Sequence, residues 1–205
     1  MTLMNAIIAG DEAAFETALA SWPALARAVL SEGATRQGGG DFFIPSLGRY
    51  LMAGDTALHI AAAAHRIDMM RSLLAAGADP RARNRRGAEP LHAAASGRPG
   101  AERWNPAAQA RTIVALIAAG ADPNACDKSG TAPLHKAVRT RSAAAVDALI
   151  GGGADPGLTT RSGTSPLRLA ELTTGKSGSG SPEARAEQAV IVRRLQSGGR
   201  HIIEN

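Results

Sequence analysis

The feature that most limits what this chain can become is a phrase repeated four times. Gly54-Asp55-Thr56-Ala57-Leu58-His59, Arg86-Gly87-Ala88-Glu89-Pro90-Leu91-His92, Gly130-Thr131-Ala132-Pro133-Leu134-His135 and Gly163-Thr164-Ser165-Pro166-Leu167-Arg168 share a glycine, a helix-capping position and a leucine, and three of them a histidine. The first three are answered by a second phrase, Ala76-Gly77-Ala78-Asp79-Pro80, Ala119-Gly120-Ala121-Asp122-Pro123 and Gly152-Gly153-Ala154-Asp155-Pro156, while the fourth ends in Ser197-Gly198-Gly199. Leu58 to Leu91 and Leu134 to Leu167 are both steps of 33, and Leu91 to Leu134 is 43, or 33 with ten residues inserted. A fixed period of this size means stacked supersecondary units. No one unit buries its apolar face alone, so neighbours must complete a continuous core.

Within a unit the residues predict two helices joined by turns. Thr56 is placed to cap a first helix, its hydroxyl accepting an otherwise unpaired amide of the first turn, with Leu58 and Ala61 facing inward. Ile67, Met70, Leu73 and Leu74 recur at helical spacing in a second helix that ends at Gly77, where a glycine reaches the left-handed conformation without strain. Asp79-Pro80 begins a hairpin toward the next unit. Pro90 stands at the first helical position, and Glu89 replaces the capping threonine. Asn105-Pro106 opens a lengthened second helix through Ala119, and Ser181-Pro182-Glu183 restarts one that runs to about Gln196. The insertions, Arg98 to Trp104 and Gly175 to Gly180, therefore fall between the two helices of their units. In the last helix Arg194 is expected at the position held by Leu73, Leu116 and Leu149, and Arg168 replaces the histidine, as suits a C-terminal cap.

Two helices and a hairpin at this period form the pattern of the ankyrin repeat, and the chain resembles a bacterial-type ankyrin-repeat protein from about Leu51 to Gly199, with a degenerate repeat before it. The resemblance implies an all-α repeat solenoid of helix-turn-helix units with hairpin loops, about five units in one domain over 1–205. Its expected parts are a degenerate N-terminal cap at 1–30, an irregular aromatic insertion at 31–50, repeats at 51–83, 84–126 and 127–159, a C-terminal cap repeat at 160–199 and a tail at 200–205. Repeats two and four carry the inserted loops. The resemblance also implies a non-catalytic scaffold that meets another protein through its hairpin tips and the concave face of its first helices. Carried onto this sequence, the tips are Arg83, Arg85 and Arg86, then Cys126, Lys128 and Ser129, then Thr159, Arg161 and Ser162. The helix face adds Ala63, Ala64, Ser96, Gly97, Arg139, Thr140, Leu172 and Thr173. Arg85, Lys128 and Arg161 fall into register. At a helix spacing of about 10 Å they form a positive ladder on which an acidic strip of a partner would dock, although the same residues would also serve solubility alone.

The net charge is +5, and 20 of the 23 basic residues are arginine, which makes nucleic-acid binding through the arginine-rich surface the alternative function. Hydrophobic residues make up 44% of the chain but aromatics only 3%, so the core must be built from alanine and aliphatic side chains on closely approaching helices. Three of the six aromatics, Phe42, Phe43 and Tyr50, stand with Ile44 and Leu47 just before the first full repeat. That segment is read either as extra core or as an aromatic wall beside the groove, with Tyr50 as a contact. Trp104, in an inserted loop, is either a lid over its helix pair or a partner anchor.

Little in the sequence supports chemistry. His59, His92 and His135 recur once per repeat, about 10 Å apart, whereas zinc needs its ligands within about 2.3 Å of one point. The histidines are instead expected to bond their own capping turn and the adjacent repeat. Asp79, Asp122 and Asp155 read as turn formers. Ala170 to Ser177 matches a relaxed phosphate-loop pattern, but a helix precedes it and no helix follows at once. A single cysteine, Cys126, excludes a disulfide framework. No basic run precedes an apolar stretch at the N-terminus, and no segment reaches the roughly 18 apolar residues of a membrane span. No cofactor, metal or membrane partner is expected, and a cytoplasmic monomer is.

Overall fold

In a computed structural model of the chain, which describes residues 3–35, 38–97, 104–172 and 182–198, each repeated phrase starts a short helix. The helices in chain order are α1 (Leu3–Ala9), α2 (Glu12–Ser21), α3 (Ala57–Ala63), α4 (Ile67–Ala75), α5 (Pro90–Ala94), α6 (Pro106–Ala118), α7 (Pro133–Arg139), α8 (Ala143–Gly151), α9 (Pro166–Leu172) and α10 (Pro182–Gly198). Odd-numbered helices pack on one another in one row from α1 to α9, and even-numbered helices in a second row from α2 to α10. Five helix pairs thus make a two-layered solenoid. The expected loop from Gly175 to Gly180, most of the segment from Ala170 to Ser177, residues 98–103 of the first insertion and the tail at 200–205 lie outside the described residues.

The starts of the helices follow from local chemistry. Asp11 caps α2 by accepting the Ala14 amide at 2.9 Å, Asn105 caps α6 through Ala108 at 3.0 Å, and the Thr56 hydroxyl accepts the His59 amide at the start of α3. Pro90, Pro106, Pro133 and Pro166 each stand first in their helices, where a missing amide hydrogen leaves nothing unpaired. The second helices of the first three full repeats stop at Gly77, Gly120 and Gly153, all with φ near +90° (87°, 97° and 91°). The next turn is closed by Asp79, Asp122 and Asp155, each of whose Oδ1 accepts the amide two residues on at 2.7 to 2.8 Å.

Between the two rows runs one contiguous core from Leu3 to Leu195. Leu58, Leu91 and Leu134 are at most 1% exposed, and Ala61, Ala94 and Ala137 beside them let adjacent first helices approach closely. The second row supplies Leu73, Leu116 and Leu149, all fully buried. One expectation is corrected in the last helix. Leu195, not Arg194, takes the leucine position and is 3% exposed, while Arg194 points outward and pairs with Asp147 at 3.1 Å. The register runs from Gly199, four residues after Leu195, as Gly77 follows Leu73.

The repeated histidines join the units. Nδ1 of His59, His92 and His135 accepts the amides of Thr56, Glu89 and Ala132 at 3.2, 3.1 and 3.2 Å, at the start of each one's own helix. An accepting Nδ1 places the proton on Nε2, which donates to the carbonyls of Ala88, Thr131 and Thr164 in the following repeat at 3.1, 3.0 and 3.1 Å. Arg168 takes the histidine position in the last unit, as the sequence predicts.

The stretch before the first full repeat is more ordered than expected. A single 3₁₀ turn over Pro23–Ala26 follows α2, and Val29 bridges to Thr56. A second 3₁₀ turn over Gly40–Phe42 leads into a two-stranded antiparallel hairpin, β1 (Phe43–Ile44) and β2 (Arg49–Tyr50), in which Phe43 faces Tyr50 and Ile44 faces Arg49.

Two outcomes test this account. Leu134→Ala and Leu195→Ala are each expected to lower stability in urea denaturation by about 2 to 5 kcal/mol, and Arg194→Ala by less than about 0.5 kcal/mol. Comparable losses at 194 and 195 would put the last helix in the wrong register. Burial pushes the His92 imidazole down to about 4, against the opposing pull of the Thr131 carbonyl, and burial lowers His59 and His135 as well. An unfolded histidine titrates near 6.5, so the unfolded chain binds more protons in this window. Stability is therefore complete above pH 6.5 and falls as pH drops toward 4, with His92 alone accounting for about 3 kcal/mol. The urea midpoint should decline across that window and decline less in His92→Gln; a flat profile would mean that the imidazoles are not buried neutral donors.

Candidate functional site: a basic groove at the hairpin tips

The hairpin tips owe their shape to one column of side chains. Asn84 Oδ1 accepts the amides of Arg86 and Ala88 at 2.9 and 3.1 Å, and Asp127 Oδ1 those of Ser129 and Thr131 at 2.8 and 3.0 Å. In the third tip the Thr160 hydroxyl accepts the Thr164 amide at 3.2 Å. Successive tips are then linked by single backbone bonds: Arg85 donates to the Ala53 carbonyl at 2.7 Å, Lys128 to Arg86 at 2.9 Å, and Arg161 to Ser129 at 3.0 Å. Arg85, Lys128 and Arg161 thus occupy equivalent rungs, as their register in the sequence predicts.

Between the first and second tips and the first helix after the second tip, α7, lies a cavity of about 370 Å³. Its cationic lining is Arg85, Arg86, Lys128, Lys136 and Arg139, and its one carboxylate is Asp127. Asp127 is already committed, since Oδ1 holds the tip backbone and Oδ2 lies 3.7 Å from Lys136 Nζ. Burial pushes the Lys136 ammonium down; Asp127 pulls it back up, and Arg139 and Arg86 push it lower. Arg85 Nη2 donates to the Ala34 carbonyl at 2.6 Å. Among the described residues Arg86, Lys128 and Arg139 have no side-chain ion pair or hydrogen bond.

A second cavity, of about 360 Å³, adjoins the first and shares Arg86 and Lys136 with it. One wall is the β1–β2 hairpin, from Leu47 to Tyr50, and the floor includes Ala63, Ala93 and Thr140 of the first-helix face. The hairpin is both anchor and wall. Ile44 is buried and Leu47 packs on the core, while Phe43 and Tyr50 remain 41% and 46% exposed, their rings in contact at 4.9 Å between centroids. Its position is fixed by Arg49, whose guanidinium meets the fully buried Asp55 carboxylate at 3.0 Å. Asp55 also accepts the Met52 amide and the Asn84 side-chain amide, both at 2.8 Å, so all its charge is met inside the fold.

Of the residues singled out from sequence, Arg85, Arg86, Lys128, Ser129 and Arg139 come together around the first cavity, and Tyr50 lines the second. Arg161 continues the ladder beyond them. Arg83 pairs with the buried Glu89 carboxylate at 3.0 Å and bonds the Cys126 carbonyl, with 55% of its side chain still exposed. Burial pushes the Glu89 carboxyl up, and Arg83 pulls it back. Trp104 is half-buried, with its indole N–H donating to Gln109 Oε1 at 3.3 Å. Sequence reasoning missed Lys136, Arg49 and Asp55.

Paired rows of short helices joined by glycine-punctuated hairpins, stitched unit to unit by histidine, define a helical repeat solenoid with its tips on one edge. Two family models, both described as ankyrin repeats in many copies, match residues 53–99 and 116–170. The chain is an ankyrin-repeat protein. Ankyrin repeats are in general modules of protein–protein interaction, and the family is typically non-catalytic. No curated protein sequence matches the chain. Among the described residues no helix is long and apolar enough to cross a membrane.

Removing the Arg49 partner leaves a buried carboxylate short of one charged donor. Arg49→Met is expected to lower stability in urea by about 2 kcal/mol; a loss inside the ordinary surface range of about 0.5 kcal/mol would mean that the hairpin is not held by this pair.

Proposed function

We propose that residues 1–205 form one binding domain that recognises another protein by taking an acidic, extended segment along the hairpin tips and the first-helix face. The observation that carries this reading is the concentration of Arg85, Arg86, Lys128, Lys136 and Arg139 around one cavity, three of them without an internal partner among the described residues. Two arginines outside the cup, Arg83 and Arg49, are engaged within the fold in the pairs Arg83–Glu89 and Arg49–Asp55. Unpaired cations on a concave, partly desolvated surface focus a positive potential, speed the approach of an acidic partner and fix its register. The exposed Phe43–Tyr50 pair offers apolar contact area where the segment leaves the cations. The domain acts as a monomer without chemistry of its own, and the single thiol suits a reducing cytoplasm.

Fluorescence polarisation with a labelled oligoglutamate peptide tests the reading. Saturable binding that weakens as salt rises is expected, with an Arg85/Lys128/Arg161 triple alanine variant weakened about tenfold or more. Unchanged affinity in the triple variant would remove the ladder from the site. Tighter, salt-sensitive binding of labelled single-stranded DNA than of the peptide would replace this reading with nucleic-acid recognition.

A further inference from the structure

An acidic segment carries carboxylates, phosphates or both, and the cavity discriminates between them. We infer that the cup of Arg85, Arg86, Lys128, Lys136 and Arg139 takes a phosphoryl dianion, presented as phosphoserine or phosphothreonine on the docking segment of a partner protein. The inference rests on the protein-binding reading above. Five cations and one carboxylate line a space of about 370 Å³, near the lower end of ligand-sized pockets. That leaves an excess of four positive charges in one cup, in a chain whose whole net charge is +5.

A single glutamate would answer one of those charges. A phosphorylated side chain brings about −1.5 to −2 and three strong acceptor oxygens, and the arginine fork matches a phosphate in a bidentate arrangement. The cup's own carboxylate does not compete, because Asp127 is held by two tip amides and faces Lys136. Arg139 and Arg86 both act to push the Lys136 ammonium down, so the cations sit in mutual repulsion that an entering dianion would relieve.

The surroundings favour a polypeptide carrying one phosphate over a polyphosphate strand. Next to the cup the second cavity adds apolar lining, Met52, Ala63 and Ala93, and the charged groups that it does not share with the cup, Arg49 and Glu89, are each paired within the fold. Phe43 and Tyr50 are packed on each other, and so form a closed apolar edge. A peptide that seats its phosphate in the cup would lay neutral side chains along that edge.

The test uses the full chain with inorganic phosphate, O-phosphoserine and labelled peptides that differ only in phosphoserine or glutamate at one position. Phosphate and O-phosphoserine should raise the melting temperature saturably where acetate at equal ionic strength does not, and the phosphoserine peptide should bind about tenfold tighter than its glutamate twin. Lys136→Met and the exposed Arg139→Gln should each weaken O-phosphoserine binding about tenfold, with Arg161→Gln close to wild type. Phosphate acting no better than acetate, or an equal loss in Arg161→Gln, would overturn the inference. Binding of oligoglutamate and the glutamate peptide with no preference for phosphate would overturn it while leaving the protein-binding reading in place; failure of every peptide would remove both. Single-stranded DNA binding tighter than the phosphoserine peptide would assign the cup to a nucleic-acid backbone and overturn it as well.

Discussion

Both nitrogens of one imidazole are in use in each of the three full repeats, and the stack depends on that. Nδ1 accepts the amide that opens its own helix, and Nε2 donates to a carbonyl of the next repeat. A helix of five to seven residues has too few internal bonds to persist alone. The histidine supplies its missing start and, with the same ring, fixes the neighbour that must cover it. Helix formation and stacking thus become one event in α3, α5 and α7. The imidazole does this only when neutral, since a protonated Nδ1 has nothing with which to accept.

Charge is sorted by the same architecture. Where a carboxylate is buried, an arginine reaches in to meet it: Arg49 crosses from the hairpin to Asp55, and Arg83 spans its turn to Glu89. At the tips the backbone is already satisfied by Asn84, Asp127 and Thr160, so Arg86, Lys128 and Arg139 have no internal task and gather beside the groove. The basic cup is made of cations that the tip backbone and the buried carboxylates do not use.

How much of this could be read from the sequence depended on whether a residue kept step with the period. The leucines, glycines, histidines and turn aspartates recur, so one repeat interprets the others, and the ladder of Arg85, Lys128 and Arg161 followed from alignment alone. The last unit ends in Ser197-Gly198-Gly199 in place of the second phrase, and the two glycines lie four residues after Arg194 and after Leu195, so the sequence leaves its register open by one residue. One residue on a helix is about 100° of rotation, enough to exchange the buried Leu195 for an outward arginine. Asp55 and Lys136 were legible as outliers in their columns: Asp55 stands where the other units have Ala88, Thr131 and Thr164, and Lys136 where they have Ile60, Ala93 and Leu169. Arg49 was not legible, because the segment from 31 to 50 has no period to place it and its partner lies across a hairpin whose fold only the tertiary contact determines.

The single backbone bonds that run from Ala53 to Arg85, Arg86 to Lys128 and Ser129 to Arg161 use only main-chain atoms. These inter-tip links are therefore indifferent to which side chains stand on the rungs, while the chemistry displayed depends on those side chains. The surface works like a ruled line on which letters can be changed one at a time. Substitution at Lys128 or Arg161 alters the message without shifting the frame, so a change of partner requires no change of scaffold.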